Sequence, residues 1–154
     1  MVQGVCMPFD QEHRSSIYKA LNETCQKHKH CVVLGDFNAA MYPTDRSSQQ
    51  LHLHDNQHKG AMLQSGLRPT DRTVRAYTFI RASTTGKSEG QSRIDDIFIT
   101  SAIPDPTWTE TAQATNDSDH LPLMTKLDLG PIYFIPLEQK AAVPNHCNPN
   151  LYCQ

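Results

Sequence analysis

The 154-residue sequence has no apolar run near the roughly 20 residues that a membrane-spanning helix needs. No membrane partner is expected. Met1 to Pro8 lacks the basic n-region and long apolar h-region of a secretory leader, so the expectation is an intracellular, soluble protein. Its five cysteines, Cys6, Cys25, Cys31, Cys147 and Cys153, are odd in number and contain no CxxC pair. That argues against a disulfide framework and against a zinc ribbon, and reduced thiols are expected. An excess of cationic residues is also missing. Against 14 Lys and Arg stand 16 Asp and Glu, and the pI of about 6.4 is far below the footprint of a dedicated nucleic-acid binder. No internal repeat is present. A chain of this length buries roughly 68–70% of its unfolded surface, enough for one domain with a real core.

The small net charge conceals an asymmetry. Between Arg68 and Arg93, six cationic residues (Arg68, Arg72, Arg75, Arg81, Lys87, Arg93) face only Asp71 and Glu89, so the segment is +4 and the remainder −6. A basic surface beside an acidic body suits phosphate binding near a cation-holding carboxylate cluster; a solvated face would look the same.

Val2 to Pro8 is a short apolar run closed by proline and reads as a strand. Asp10 or Ser15 can cap a helix whose Ile17, Leu21 and Cys25 recur at four-residue spacing, ending near His28 to His30. Cys31 to Leu34 is a continuous apolar run stopped by Gly35, as expected of a strand buried on both faces. Residues 41–59 read as a surface loop or short helix, and His52, His54 and His58 lack partners at a recognised metal-ligand spacing. Val74, Ala76, Thr78 and Ile80 alternate with Arg75, Tyr77, Phe79 and Arg81 as in a strand. The polar run Ser83 to Ser92 comes next as a hairpin loop. Its Gly86-Lys87-Ser88 is not a P-loop, because the earlier glycine is replaced by Arg81. Ile94 to Ile99 is the next strand. Pro104 and Pro106 open a loop, and Leu121 to Leu129 alternate as a half-buried strand. Prolines 131, 136, 144 and 149 forbid a long helix in residues 130–154, which read as an irregular tail that could dock through Ile132 to Ile135.

Three polar constellations stand at strand ends, where α/β sheets carry their sites: Gly35-Asp36-Phe37-Asn38, Ser92-Arg93-Ile94-Asp95 and Ser118-Asp119-His120. Asn38 would point the same way as Asp36 if the chain stays extended. Each constellation has a plain structural alternative, for instance Asp95 as the ion partner of Arg93. Three acids set among apolar residues in one short chain are harder to explain that way.

Taken in order, these motifs resemble the endonuclease/exonuclease/phosphatase superfamily. Val5-Cys6-Met7-Pro8 and Tyr77-Thr78-Phe79 support the likeness, and Asp45-Arg46 with Ser65-Gly66-Leu67 look most like the LINE-type retrotransposon endonucleases. The resemblance spans roughly Val2 to Leu129. It implies an α/β fold: part of a four-layer αββα sandwich, with one mixed, mainly antiparallel sheet and flanking helices over residues 1–129, and the N-terminal half of the domain absent. It implies a Mg²⁺-dependent phosphodiester hydrolase, with Mn²⁺ as a possible substitute, that nicks DNA and is nuclear where it acts on genomic DNA. The roles it implies are catalytic for Asp36, Asn38, Asp95 and His120, metal-binding for Asp119, and substrate-binding for Tyr77, Phe79 and Arg93. Two departures stand against this. The family's Asn and Glu, the latter a principal metal ligand, have no counterpart, and Cys6 replaces a phosphate-contacting tyrosine. A remnant without catalysis, binding phosphate or a partner, and a phosphatase of the same fold are the alternative expectations.

Overall fold

A computed structural model describes residues 1–70, 77–80, 90–111 and 118–128. Strand β1 (Val2–Cys6) leads into helix α1 (Gln11–Lys27). Asp10 is the cap, its side chain accepting from the backbone N–H of His13 at 2.9 Å. The helix buries Arg14, Tyr18, Leu21 and Cys25, a stripe at three- and four-residue spacing. The buried arginine was not foreseen. It donates to the carbonyls of Pro8 (3.1 Å) and Phe37 (3.2 Å) and to the Tyr18 hydroxyl (2.9 Å), which makes its burial tolerable.

Strand β2 (Val32–Asp36) does not stop at Gly35 but runs through it. Gly35 has φ +144°, and a Cβ there would lie 1.8 Å from the Val5 carbonyl oxygen. Only glycine lets β1 and β2 approach this closely. The expected burial on both faces holds only in part, since Leu34 is 38% exposed.

After one 3₁₀ turn (Pro43–Asp45) comes α2 (Leu53–Gln64), a twelve-residue helix where a loop or short helix was expected. The Asp55 carboxylate accepts the His52 backbone N–H at 2.7 Å and so closes its first turn. His58 turns into the core against Phe37 and Phe98 and meets the Tyr18 hydroxyl at 3.1 Å through Nδ1. His52 and His54 stack on each other elsewhere, so the three histidines do not converge. The remaining strands are β3 (Leu67–Pro69), β4 (Phe79–Ile80), β5 (Gln91–Ser92), β6 (Asp95–Thr100), β7 (Trp108–Thr111) and β8 (Leu123–Lys126). The hairpin differs from the expected one. Strand β4 pairs antiparallel with β5, whose Gln91 and Ser92 were expected in the loop, while the strand expected to follow, β6, pairs with β2 and β3 instead. Residues 81–89 lie outside the described residues. So do Val74 to Ala76 and the tail from residue 129. Strand β7, which the prolines concealed, pairs antiparallel with β8.

The main sheet is mixed, in the order β1-β2-β6-β3, with β1 and β2 parallel and the other pairs antiparallel. One face packs against the helices through Val33, Phe98 and Leu67 with Tyr18, Leu21, Cys25 and Met62. On the other, Val32, Ile97, Ile99 and Ile103 meet Leu123 and Leu127 at the β8 end of the second hairpin. Helices, sheet and hairpin thus form successive layers. Among the described residues nothing covers this face beyond the hairpin, and Val2 is 63% exposed. No described helix is long and apolar enough to cross a membrane.

Candidate active site

The register of the sheet sets one row of side chains at the C-terminal ends of β1 and β2. Cys6 is opposite Asp36, and Asp36 is opposite Asp95 at the start of β6. Paired residues share a face, so both carboxylates point to the same side. His120 reaches this row from another part of the chain. A β-bridge ties it to Phe79, the carbonyl of Asp119 accepts from Ile80 at 2.8 Å, and Leu121 donates to the Thr78 carbonyl. Its Nδ1 lies 2.9 Å from Asp95 Oδ2. Ligand atoms of Asp36, Asp95 and His120 all fall within 4.8 Å of one another, and all three residues are half-buried.

Burial raises the pKa of the Asp36 carboxyl, and the neighbouring Asp95 charge adds to this; the Asn38 backbone N–H, 2.8 Å from its Oδ1, opposes the shift. The arrangement therefore holds two carboxylates close together beside an imidazole. Such a site stores repulsion that a cation relieves. Asn38 does not continue an extended chain. It sits at φ +47°, a left-handed turn that asparagine tolerates, and its Nδ2 donates to the Met7 carbonyl at 2.7 Å. The turn, not strand alternation, brings it beside Asp36.

Of the other residues singled out from sequence, Asp119 is exposed and is not one of the three converging groups. Tyr77 and Phe79 are half-buried, and the Phe79 ring meets that of His120 edge to face, 5.1 Å between centroids. Arg93 is 4% exposed and donates to Asp96 Oδ1 at 2.9 Å. Its side chain is buried, and its partner is Asp96 rather than Asp95. Arg68 pairs with Asp105, so both described arginines of the basic segment are spent on ion pairs. Arg72, Arg75, Arg81 and Lys87 lie outside the described residues.

Sequence reasoning missed two supports. Thr78 is fully buried, and its Oγ1 accepts the backbone N–H groups of Ile94 (3.1 Å) and Asp95 (3.0 Å). Only its place between two aromatics marked it. Arg46 donates through Nε and Nη2 to the buried Asp55 at 2.9 and 2.7 Å and through Nη1 to Ser92 Oγ at 3.2 Å. This bidentate pair anchors β5 to α2.

The fold and site together define an α/β protein with an acid–imidazole cluster at the carboxyl ends of two parallel strands. Residues 3–120 match the Endonuclease/Exonuclease/phosphatase family, and the chain belongs to it. Among solved structures it is similar to a 3′-5′ exonuclease from Neisseria meningitidis, with 24% identity and a TM-score of 0.56 over 76% of this chain and 54% of that one. It is also similar to the endonuclease domain of TRAS1, a telomere-specific non-LTR retrotransposon, with 21% identity and a TM-score of 0.61 over 76% and 52%. The APE2 catalytic domain of Xenopus laevis gives 18% identity and 0.58 over 80% and 47%. The chain spans about half the length of these solved chains. No curated protein matches it significantly.

Proposed function

We propose that the chain is a phosphodiester hydrolase dependent on a divalent cation, Mg²⁺ or Mn²⁺, and that its substrate is DNA, which it nicks as retrotransposon endonucleases do. The convergence of Asp36, Asp95 and His120 within 4.8 Å carries this reading. Family membership and nuclease neighbours support the broader class.

Two carboxylates held side by side at one end of the sheet are a fitting donor set for a hard cation. Asp36 and Asp95 would hold it, with Asp119 as a further oxygen donor from the exposed loop beside them. When bound, the cation would polarise the scissile phosphate and offset charge on the departing oxygen. Asp95 fixes His120 through Nδ1, which leaves Nε2 to meet a phosphate oxygen. Asp36, beside the cation, would position the attacking water for in-line displacement. Asn38 is locked by the Met7 carbonyl and retains a second Nδ2 hydrogen for the phosphate. Tyr77 and Phe79 flank the substrate.

The test is plasmid nicking with Mg²⁺ by the native chain and by Asp36→Ala and His120→Ala. Nicking by either variant at the native rate would sink the site assignment. A saturable rise in Tm with Mg²⁺, lost in Asp36→Ala, reports the metal site independently of turnover. Cys6, a weak donor opposite Asp36 in the row of site residues, favours a second reading, a phosphate-binding module without turnover. It predicts the Mg²⁺-dependent Tm rise and DNA binding without nicking. Release of inorganic phosphate from a phosphomonoester would point instead to a phosphatase.

A further inference from the structure

We propose that Phe9 is a stacking platform for an unpaired nucleobase next to the phosphodiester that the site engages. The proposal rests on the reading of the chain as a DNA-binding hydrolase. Phe9 is 87% exposed. Lone exposed apolar residues are common on protein surfaces, and exposure alone says little. Its support and its place distinguish it.

Phe9 lies just past the end of β1, at the same edge of the sheet as Asp36. Two residues earlier, Met7 donates through its backbone N–H to the Asp36 carbonyl at 2.8 Å and accepts from Asn38 Nδ2 at 2.7 Å. The preceding carbonyl, that of Pro8, is held by Arg14 at 3.1 Å, and proline fixes its own φ. The next residue, Asp10, caps α1. The backbone on both sides of Phe9 is therefore pinned, and two of the pins are made by site residues. An aromatic ring held in water on an ordered backbone gives up little further entropy when it binds. Phe79 already leans on His120, so one aromatic ring borders the reacting groups. The face of a phenyl ring accepts any base, because every base has a π-face. Within an intact duplex the bases are already stacked, and the ring gains a partner only where a base is unpaired.

The experiment measures binding by fluorescence anisotropy with Mg²⁺ present, using phosphorothioate-linked DNA to suppress cutting. One duplex carries a short unpaired bubble, and the other is fully paired. The native chain is expected to prefer the bubble. Phe9→Ala should weaken bubble binding roughly ten- to a hundredfold while leaving paired-duplex binding unchanged, and Phe9→Trp should restore the preference. Because Phe9 packs against little, the alanine variant should match the native Tm, which separates a binding loss from a folding loss. Equal bubble affinity in Phe9→Ala, or a native chain indifferent to the bubble, overturns the proposal while leaving the hydrolase reading standing. A native chain that binds no DNA overturns both. A Phe9-dependent bubble preference in a chain that never cuts supports the platform and removes the hydrolase.

Discussion

Replacing Thr78 by valine tests how the site is held. The side chains match in shape, so the perturbation is the exchange of one buried oxygen for a methyl group. That oxygen accepts two backbone N–H groups, those of Ile94 and Asp95. Valine leaves both donors facing carbon. Each buried, unsatisfied donor costs about 1–3 kcal/mol, which gives about 2–6 kcal/mol for the pair, against a total stability of about 5–15 kcal/mol for a typical domain. In thermal terms the expected loss is on the order of 5–20 °C. Urea denaturation monitored by circular dichroism measures it, with the m-value unchanged if the native state keeps its compactness. Thr78→Ser retains the oxygen and should lose far less, chiefly the contacts of one methyl. If Thr78→Val is as stable as the native chain within about 0.5 kcal/mol, or if serine is as damaging as valine, the hydroxyl does not carry the bonds assigned to it. The same variant should weaken the Mg²⁺-dependent rise in Tm, because Asp95 would lose the anchor on its own backbone.

Gly35→Ala should destabilise by more than about 4 kcal/mol, since the added Cβ meets the backbone of Val5 at 1.8 Å; near-native chemical denaturation would show that β1 and β2 separate at little cost. Asp55→Ala removes the partner of Arg46 and the acceptor of the Ala40 and His52 backbone donors, and should cost about 3–5 kcal/mol, with Asp55→Asn intermediate in the same urea assay. The raised Asp36 pKa makes a pH prediction for the metal-free chain: the folded state binds this proton more tightly than the unfolded chain, whose value is near 3.8. Stability from this group is full below that value and falls as pH rises through the higher folded one. Asp36→Asn keeps the oxygen that accepts the Asn38 N–H and should flatten this fall, so parallel Tm–pH curves for native and variant in EDTA would contradict the assigned burial.

What was legible in the sequence had an apolar or polar period to read. The α1 stripe of Tyr18, Leu21 and Cys25, the run Cys31 to Leu34 and the run Ile97 to Ile99 announce themselves because burial selects apolar side chains at fixed spacing. Helix α2 was legible only as a loop or short helix, because its buried positions include Asp55 and His58, and polar residues that bury by pairing leave no hydrophobic trace. Strand β7 was hidden behind Pro104 and Pro106, which mark the loop leading into it but carry no signal for a strand. Arg14 drew no reading from sequence, and Arg93 read as a substrate contact or the partner of Asp95, yet each is buried against carbonyls or a carboxylate that only the fold brings near. Asp36, Asp95 and His120 were legible as a set from their motifs. Their neighbours were not, because Thr78 and Arg46 act through single backbone or side-chain contacts whose partners are distant in sequence.

The distances along the chain explain why the site depends on so few contacts. Asp36 and Asp95 come together through one antiparallel register, in which β2 ends where β6 begins. A slip of one residue would place Asp96 opposite Asp36 and turn Asp95 to the helix-covered face. Asp96 cannot take that place cheaply, because it is the buried partner of Arg93. The Arg93–Asp96 pair therefore works against the wrong register, a use of a buried ion pair that matters more than its net contribution to stability. His120 is then set by the short β4–β5 hairpin, through the Phe79 bridge and the backbone of Thr78. The chain spends its buried polar groups on register and anchoring at one edge of the sheet, and that edge is where its carboxylates and imidazole meet.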